Sequence, residues 1–344
     1  MTKHLLRPTA LVLSLLVSAG CSETPTQPET TEVPTATPEF AVATNSWLTK
    51  ADMFGTTRGS MATATVTNAA GQSVLYAIGG ATEAGGSLSR VQAYNVATNT
   101  WTYRAPMPVP LFSTNGAGVI DGKIYVSGGL RQDRHASHIG LYMYDPATNT
   151  WTRKRDMPTN TWGGVTGVIN NQLYVLTCER EEDCYGGDPL PLYRYDPATD
   201  QWALLAFSPT QDRQPMGAVI GGKLYFTGVD SPFSGPNGRL TVYDPTTNQF
   251  TAKAPVPTPR FEGAYESAGG RLYLFGGRQL NSDGSLTRVQ TTSVYVAATN
   301  TWITKAPIPT ARGSLSASRV FVAGKARIEV VGGSRPGNNL QYVP

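Results

Sequence analysis

Gly116-Ala117-Gly118-Val119-Ile120, Asp121-Gly122, Lys123-Ile124-Tyr125-Val126-Ser127-Gly128-Gly129, then Ile139 to Tyr144, Asp145-Pro146-Ala147-Thr148-Asn149-Thr150 and Trp151-Thr152: this stretch decides the fold. Its short runs are β-branched or aromatic, they alternate, and turn chemistry bounds each one. Asp121-Gly122 is a tight hairpin turn. Asp145-Pro146-Ala147-Thr148-Asn149 builds the next turn, because Asp and Asn bond their own backbone and Pro presets φ. The unit therefore reads as four antiparallel strands.

The same grammar recurs along the chain. Trp47, Trp101, Trp151, Trp202 and Trp302 form a ladder, with Phe250 filling its one gap, at steps of 54, 50, 51, 48 and 52 residues. A Gly-Gly pair closes a strand at Gly79-Gly80, Gly128-Gly129, Gly276-Gly277 and Gly332-Gly333, and a third-strand tyrosine recurs at Tyr94, Tyr144, Tyr195, Tyr243 and Tyr295. A period near 50 marks a repeat array whose units cannot bury their apolar faces alone.

An apolar run, a Gly-Gly pair and a spaced Tyr and Trp resemble the kelch repeat, over about residues 40 to 344. The resemblance implies that each repeat is one blade of a β-propeller. Trp and Tyr would then pack between blades, and Gly-Gly would permit backbone geometry that a side chain blocks. The blade count follows from the ends. Trp47 has no Gly-Gly before it and Gly332-Gly333 has no Trp after it. Joined, they complete a sixth blade. The expected fold is all-β: a six-bladed kelch-type β-propeller with four antiparallel strands per blade, the last closed by the N-terminal strand. Closure removes sheet edges that would invite aggregation.

Composition agrees with a turn-rich β protein: 40% hydrophobic, 15% charged, 36 Gly and 25 Pro in 344 residues. The net charge is +4 and no basic stripe is present, so nucleic acid is not an expected partner. Residues 1–20 read as an export signal, with Lys3, His4 and Arg7 before an apolar run too short to span a membrane. Ser18-Ala19-Gly20-Cys21 resembles a bacterial lipoprotein signal, although Ser18 stands where Leu is usual. That resemblance implies lipidation at Cys21 and an outer-membrane anchor in the cell envelope, facing periplasm or surface. Residues 21–39 are a Thr-, Pro- and Glu-rich tether with little to bury, and residues 40–344 are the propeller.

Cys178 and Cys184 are the remaining cysteines. In an exported chain they suit a disulfide, with a metal or redox site as the alternative. Around them the repeat departs: Thr177-Cys178 replaces Gly-Gly, and the acidic loop Glu179 to Asp188 follows. Carboxylates there could take a hard cation or simply face water. His135 and His138 lie three apart with no third ligand identifiable, so no metal and no cofactor are expected.

One constellation carries the binding expectation. As each fourth strand returns to the axis an arginine or aromatic recurs: Arg58, Phe112, Trp162, Arg213, Arg260 and Arg312. The resemblance implies arginines at this loop that hold acidic peptides or anionic sugars. Guanidinium groups grip carboxylates bidentately, and a concave positive mouth attracts anions. The same arginines could instead tie adjacent loops together. Two functions follow. The first is an envelope-anchored, monomeric binding or protein-interaction module for an anionic sugar or acidic peptide. The second, by likeness to bacterial kelch mutarotases, is an enzyme acting on a sialic acid-type sugar acid as mutarotase or epimerase. Glu262 or Glu266 would be its acid/base beside Arg260.

Overall fold

The computed structural model describes residues 43–344 apart from 56–57, 115, 132–135, 179–188, 211–212, 232–234, 237 and 334–338. Among the described residues six antiparallel blade sheets follow one another, each built on four strands; five run in sequence order from one side to the other, and the sixth takes its outermost strand from the N-terminal end. In the first blade the order is Ala62–Thr67, Ser73–Ile78, Val91–Asn95 and Thr100–Arg104. The first strands of the six blades are Ala62–Thr67, Ala117–Ile120, Trp162–Ile169, Arg213–Ile220, Ala264–Ala268 and Leu315–Val322. The fourth blade adds a short strand, Gly235–Pro236, beside Lys223–Ser231.

The ring closes as the ends of the sequence require. Ser46–Lys50 is the outer strand of the sixth blade and pairs antiparallel with Asn339–Val343, placing Trp47 opposite Tyr342. On the inner side, Thr63 Oγ1 donates to Ala317 O at 2.7 Å and Ser316 Oγ donates to Met61 O at 2.8 Å, stitching the sixth blade to the first.

One set of contacts repeats at the outer strands. The third-strand tyrosine hydroxyl donates to a side-chain oxygen five residues on: Tyr94 to Asn99, Tyr144 to Asn149, Tyr195 to Asp200, Tyr243 to Asn248 and Tyr295 to Asn300. The sixth copy spans the chain ends, from Tyr342 to Asn45 at 2.9 Å. These acceptors all take left-handed φ between 53° and 56°, which Asn and Asp tolerate best among side-chain-bearing residues. The ladder tryptophans then donate Nε1 to the blade before: Trp101 to Ala51 O, Trp151 to Ala105 O, Trp202 to Arg155 O and Trp302 to Ala254 O. Trp47 donates to Ala306 O, which marks it as the closure residue.

Gly-Gly is required by crowding as well as by φ. A Cβ on Gly79 (φ 64°) would sit 2.5 Å from Leu111 O, a backbone atom that cannot swing aside. Cys178, in the departing third blade, is buried and forms no disulfide among the described residues, and its expected partner Cys184 lies outside them. The leader, Cys21, the tether, the acidic loop and His135 also lie outside them.

Candidate functional site

Each blade re-enters the axis through one left-handed residue: Ser60 (φ 53°), Ser113 (44°), Gly163 (61°), Gln214 (43°), Glu262 (55°) and Ser314 (57°). Only one of the six is glycine. A non-glycine residue held there costs of order 1–3 kcal/mol, so surrounding structure must over-determine it. Backbone bonds do so from blade to blade: Ser60 N to Ser314 O at 3.1 Å, Ser113 N to Ser60 O at 3.1 Å and Gly163 N to Ser113 O at 2.8 Å. The bond from Leu315 N to Glu262 O, 3.4 Å long, continues the circuit between the fifth and sixth blades. These bonds join the fifth, sixth, first, second and third blades in a collar around one mouth of the central channel.

All six collar residues line a cavity of about 450 Å³ that continues down the channel between the first strands. Its charged lining residues are Glu262, Glu266 and Arg319, and the rest is hydroxyl, amide, backbone and apolar groups. Glu262 Oε2 lies 3.0 Å from Arg278 Nε and accepts from Ser314 Oγ at 2.9 Å. Both charged side chains are about one quarter exposed, 29% for Arg278 and 27% for Glu262. Arg278 reaches the collar from the hairpin Arg278–Leu280 and Leu286–Arg288, which projects above the fifth blade's Gly276-Gly277.

Deeper, Glu266 Oε2 accepts from Arg319 N at 2.9 Å, and Oε1 accepts from Ser267 N at 2.6 Å. Burial raises the Glu266 carboxyl above the ordinary range, and these hydrogen bonds oppose the rise. Burial also pushes the neighbouring Tyr265 hydroxyl up to about 12. The Arg319 side chain donates Nη1 to Ser267 O at 3.3 Å and stands over the Phe321 ring at 5.7 Å.

The expected arginine ring is not what lines the mouth. Arg58, Arg260 and Arg312 are 2%, 3% and 1% exposed, and none borders the cavity. Arg58 turns into its own blade and donates to Ala77 O, Gly79 O, Arg90 O and Gln92 Oε1 at 3.0–3.3 Å. Arg260 does the same in the fifth blade, toward Leu274 O at 2.9 Å, Ser293 Oγ at 3.1 Å and Thr258 O at 2.9 Å. Burial lowers these guanidinium groups, Arg58 to about 9 and Arg260 to about 10. They use their fork to satisfy carbonyls left over where the second and third strands part, which is a structural task.

The two aromatics are scaffold as well. Trp162 is 7% exposed within an apolar cluster, and Phe112 is half-buried, exchanging backbone bonds with Leu130 at 3.1 and 2.8 Å. Arg213 opens the strand Arg213–Ile220. The lining residue in each blade comes one or two positions later. Of the expected acid/base candidates, Glu262 and Glu266 both face the cavity, and neither bonds Arg260 among the described contacts. Sequence reasoning missed Arg278, and its adjacency to Gly276-Gly277 was the available signal. His138 is half-buried, with Nε2 3.0 Å from the Tyr142 hydroxyl.

The family model described as the KLHDC2/KLHL20/DRC7 Kelch-repeats domain matches residues 14–228. The chain is similar to Kelch-like protein 15 of Danio rerio, 30% identical over 206 residues, covering 53% of this chain and 32% of that protein. It is also similar to Kelch-like protein terF of Aspergillus terreus, 60% identical over 40 residues, covering 12% of this chain and 8% of that protein. The chain thus spans about a third or less of the curated relatives it matches. The solved structure of YjhT superposes with a TM-score of 0.67 at 17% identity, covering 85% of this chain and 95% of that one, a likeness of fold.

Proposed function

Because the chain belongs to the KLHDC2/KLHL20/DRC7 Kelch-repeats domain family, we propose that it is a binding module whose collar mouth is the ligand site. The observation that carries this reading is the contrast between positions that repeat and positions that do not. Tyrosine holds its third-strand place in all six blades, and its acceptor is Asn in five and Asp in one. The collar position reads Ser, Ser, Gly, Gln, Glu, Ser. Side chains that vary on a stiff, solvent-open frame are where recognition sits.

The chemistry of the collar narrows the ligand. Three serine hydroxyls, a glutamine amide and one carboxylate offer both donors and acceptors. That set suits a hydroxyl-rich ligand of sugar size. With three of the expected arginines buried, the seat for an anion shifts to Arg278, which a ligand carboxylate would share with Glu262. The expected sugar acid therefore remains within the reading, and an acidic peptide fits it less well. Export and lipid anchoring at Cys21 complete the proposal: a propeller held at the bacterial envelope.

The test is a melting-temperature screen with neutral hexoses, uronic acids, sialic acid and acidic peptides. Sugars or sugar acids should raise the melting point, and Arg278→Ala should remove the response to acids while retaining part of the response to neutral sugars. A response carried only by acidic peptides, or unchanged in the collar variants, would refute the site. One further observation favours a second reading. Glu266 faces the channel with its carboxyl raised by burial, as a general acid/base requires. Interconversion of sialic acid anomers, abolished by Glu266→Gln, would make the module a mutarotase.

A further inference from the structure

Five of the six seams between blades share one contact. The residue three before the Gly-Gly position is Tyr76, Tyr125, Tyr174, Tyr225 or Tyr273. Each packs on the third-strand tyrosine of the next blade, with ring centroids 5.6 to 6.3 Å apart: Tyr144, Tyr195, Tyr243, Tyr295 and Tyr342 respectively. The sixth blade carries Glu329 at this place, so the seam onto Tyr94 of the first blade has a carboxyl where a phenol ring belongs.

Glu329 is 0% exposed. Gln341, opposite it on the neighbouring strand, donates Nε2 to one of its oxygens. The other oxygen, Oε2, has no hydrogen-bond partner among the described residues. On the first strand of the blade its register partner is Ser318, whose hydroxyl is already shared with Thr65 at 2.7 Å. The charged and titratable groups that act on it are Lys50 of the N-terminal strand and Tyr94 of the first blade. The tyrosines in the other seams have register partners Ala93, Met143, Arg194, Val242 and Val294, so only this seam pairs a carboxyl with an amide.

We propose that Glu329 makes the seam between the sixth and first blades a proton-operated latch, shut when its carboxyl is protonated and loosened when it ionises. A protonated carboxyl carries no charge and still accepts from Gln341, so it suits the buried seam. An ionised one is a fully buried charge met by a single amide donor, which burial disfavours. Burial pushes this carboxyl up to about 7, outweighing the opposing effects of Gln341 and Lys50, so the change falls near neutral pH. The N-terminal strand Ser46–Lys50 belongs to the same sixth blade, where it pairs with Asn339–Val343, and a loosened blade would release it first.

Hydrogen–deuterium exchange on the full chain tests this, with exchange times scaled for the intrinsic pH dependence of amide exchange. Peptides covering 46–50, 325–332 and 339–343 should open at least about tenfold more at about pH 8.5 than at about pH 5.5, while 172–178 in the third blade stays constant. In Glu329→Gln, a neutral isostere, the seam should lose its pH dependence. Equal pH dependence in wild type and Glu329→Gln, or a wild-type seam that does not respond to pH, overturns the latch. Should Glu329→Gln fail to fold, carboxyl-carbon titration of the wild-type protein decides. A Glu329 midpoint above about 6 supports the latch and one below about 5 overturns it.

Discussion

Phe250 shows what a ladder residue does by lacking part of it. Each ladder tryptophan stacks near its blade's tyrosine and also donates Nε1 to a carbonyl of the preceding blade. Phe250 keeps the stack on Tyr243, with centroids 5.0 Å apart, but has no N–H to give. In that blade Asn248 Nδ2 instead donates to Leu205 O at 3.4 Å, a longer bond from a neighbouring side chain. The asparagine position is therefore as much a part of the blade joint as the tryptophan. Asn149 accepts from the Tyr144 hydroxyl at 2.6 Å and from Ala105 N at 2.9 Å, at φ 56°. Asn149→Ala should cost about 2–3 kcal/mol from two lost hydrogen bonds and a left-handed alanine. Urea unfolding would show it as a lower midpoint with unchanged slope. Asn149→Gly should recover the conformational part only.

The same scale explains what could be read from the chain and what could not. Residues that recur from blade to blade, Tyr in all six, Trp in five and Gly-Gly in four, were legible because periodicity averages over the copies. The mouth was not, because its signal is a single position that does not repeat. The arginines do recur, at Arg58, Arg260 and Arg312, and recurrence here marked scaffold. A slip of one or two residues decides the matter, since the chain bends through a left-handed residue there and sends neighbouring side chains to different places.

At the scale of the element, two kinds of glycine can be told apart. Gly79 (φ 64°) ends a second strand against a backbone carbonyl 2.5 Å from its would-be Cβ, whereas Gly222 (φ 74°) caps a hairpin turn with nothing within 4 Å. Gly222→Ala should cost about 1 kcal/mol for φ alone, and Gly79→Ala about 3 kcal/mol or more because the joint to the next blade must also shift. Equal losses in thermal unfolding would mean that φ, and not blade contact, sets the Gly-Gly requirement. The seams differ too. Glu329 has its carboxyl raised from 4.5 to about 7 by burial, so its contribution to stability is present in full below about pH 4.5 and is lost as pH rises through 7. The difference corresponds to about 3 kcal/mol, concentrated at one seam of six. Nothing in the repeat pattern foretold this, because the pattern was aligned on Gly-Gly and the tyrosine three residues earlier was not part of it.

At the scale of the molecule, closure by Ser46–Lys50 was legible from the two unmatched chain ends, and it seats Trp47 5.3 Å from Phe275 and 5.0 Å from Tyr342. Closure fixes the distance between opposite walls of the channel, so the collar residues face one another across a cavity of set size. The molecule thus divides its labour by radius: aromatic joints outside, buried arginines holding the strand ends, and a polar collar at the axis. That division is tested most directly by comparing Arg260→Met with Glu262→Gln, two positions apart, for unfolding free energy and for the melting shift given by the best ligand of the screen. Arg260→Met should lose about 3 kcal/mol, because carbonyls it satisfied are left buried and unpaired, and what still folds should respond to ligand. Glu262→Gln should keep wild-type stability to within about 1 kcal/mol, since its ion pair is part-exposed, and lose most of the response. A stable Arg260→Met that no longer responds, beside a Glu262→Gln that responds fully, would contradict it.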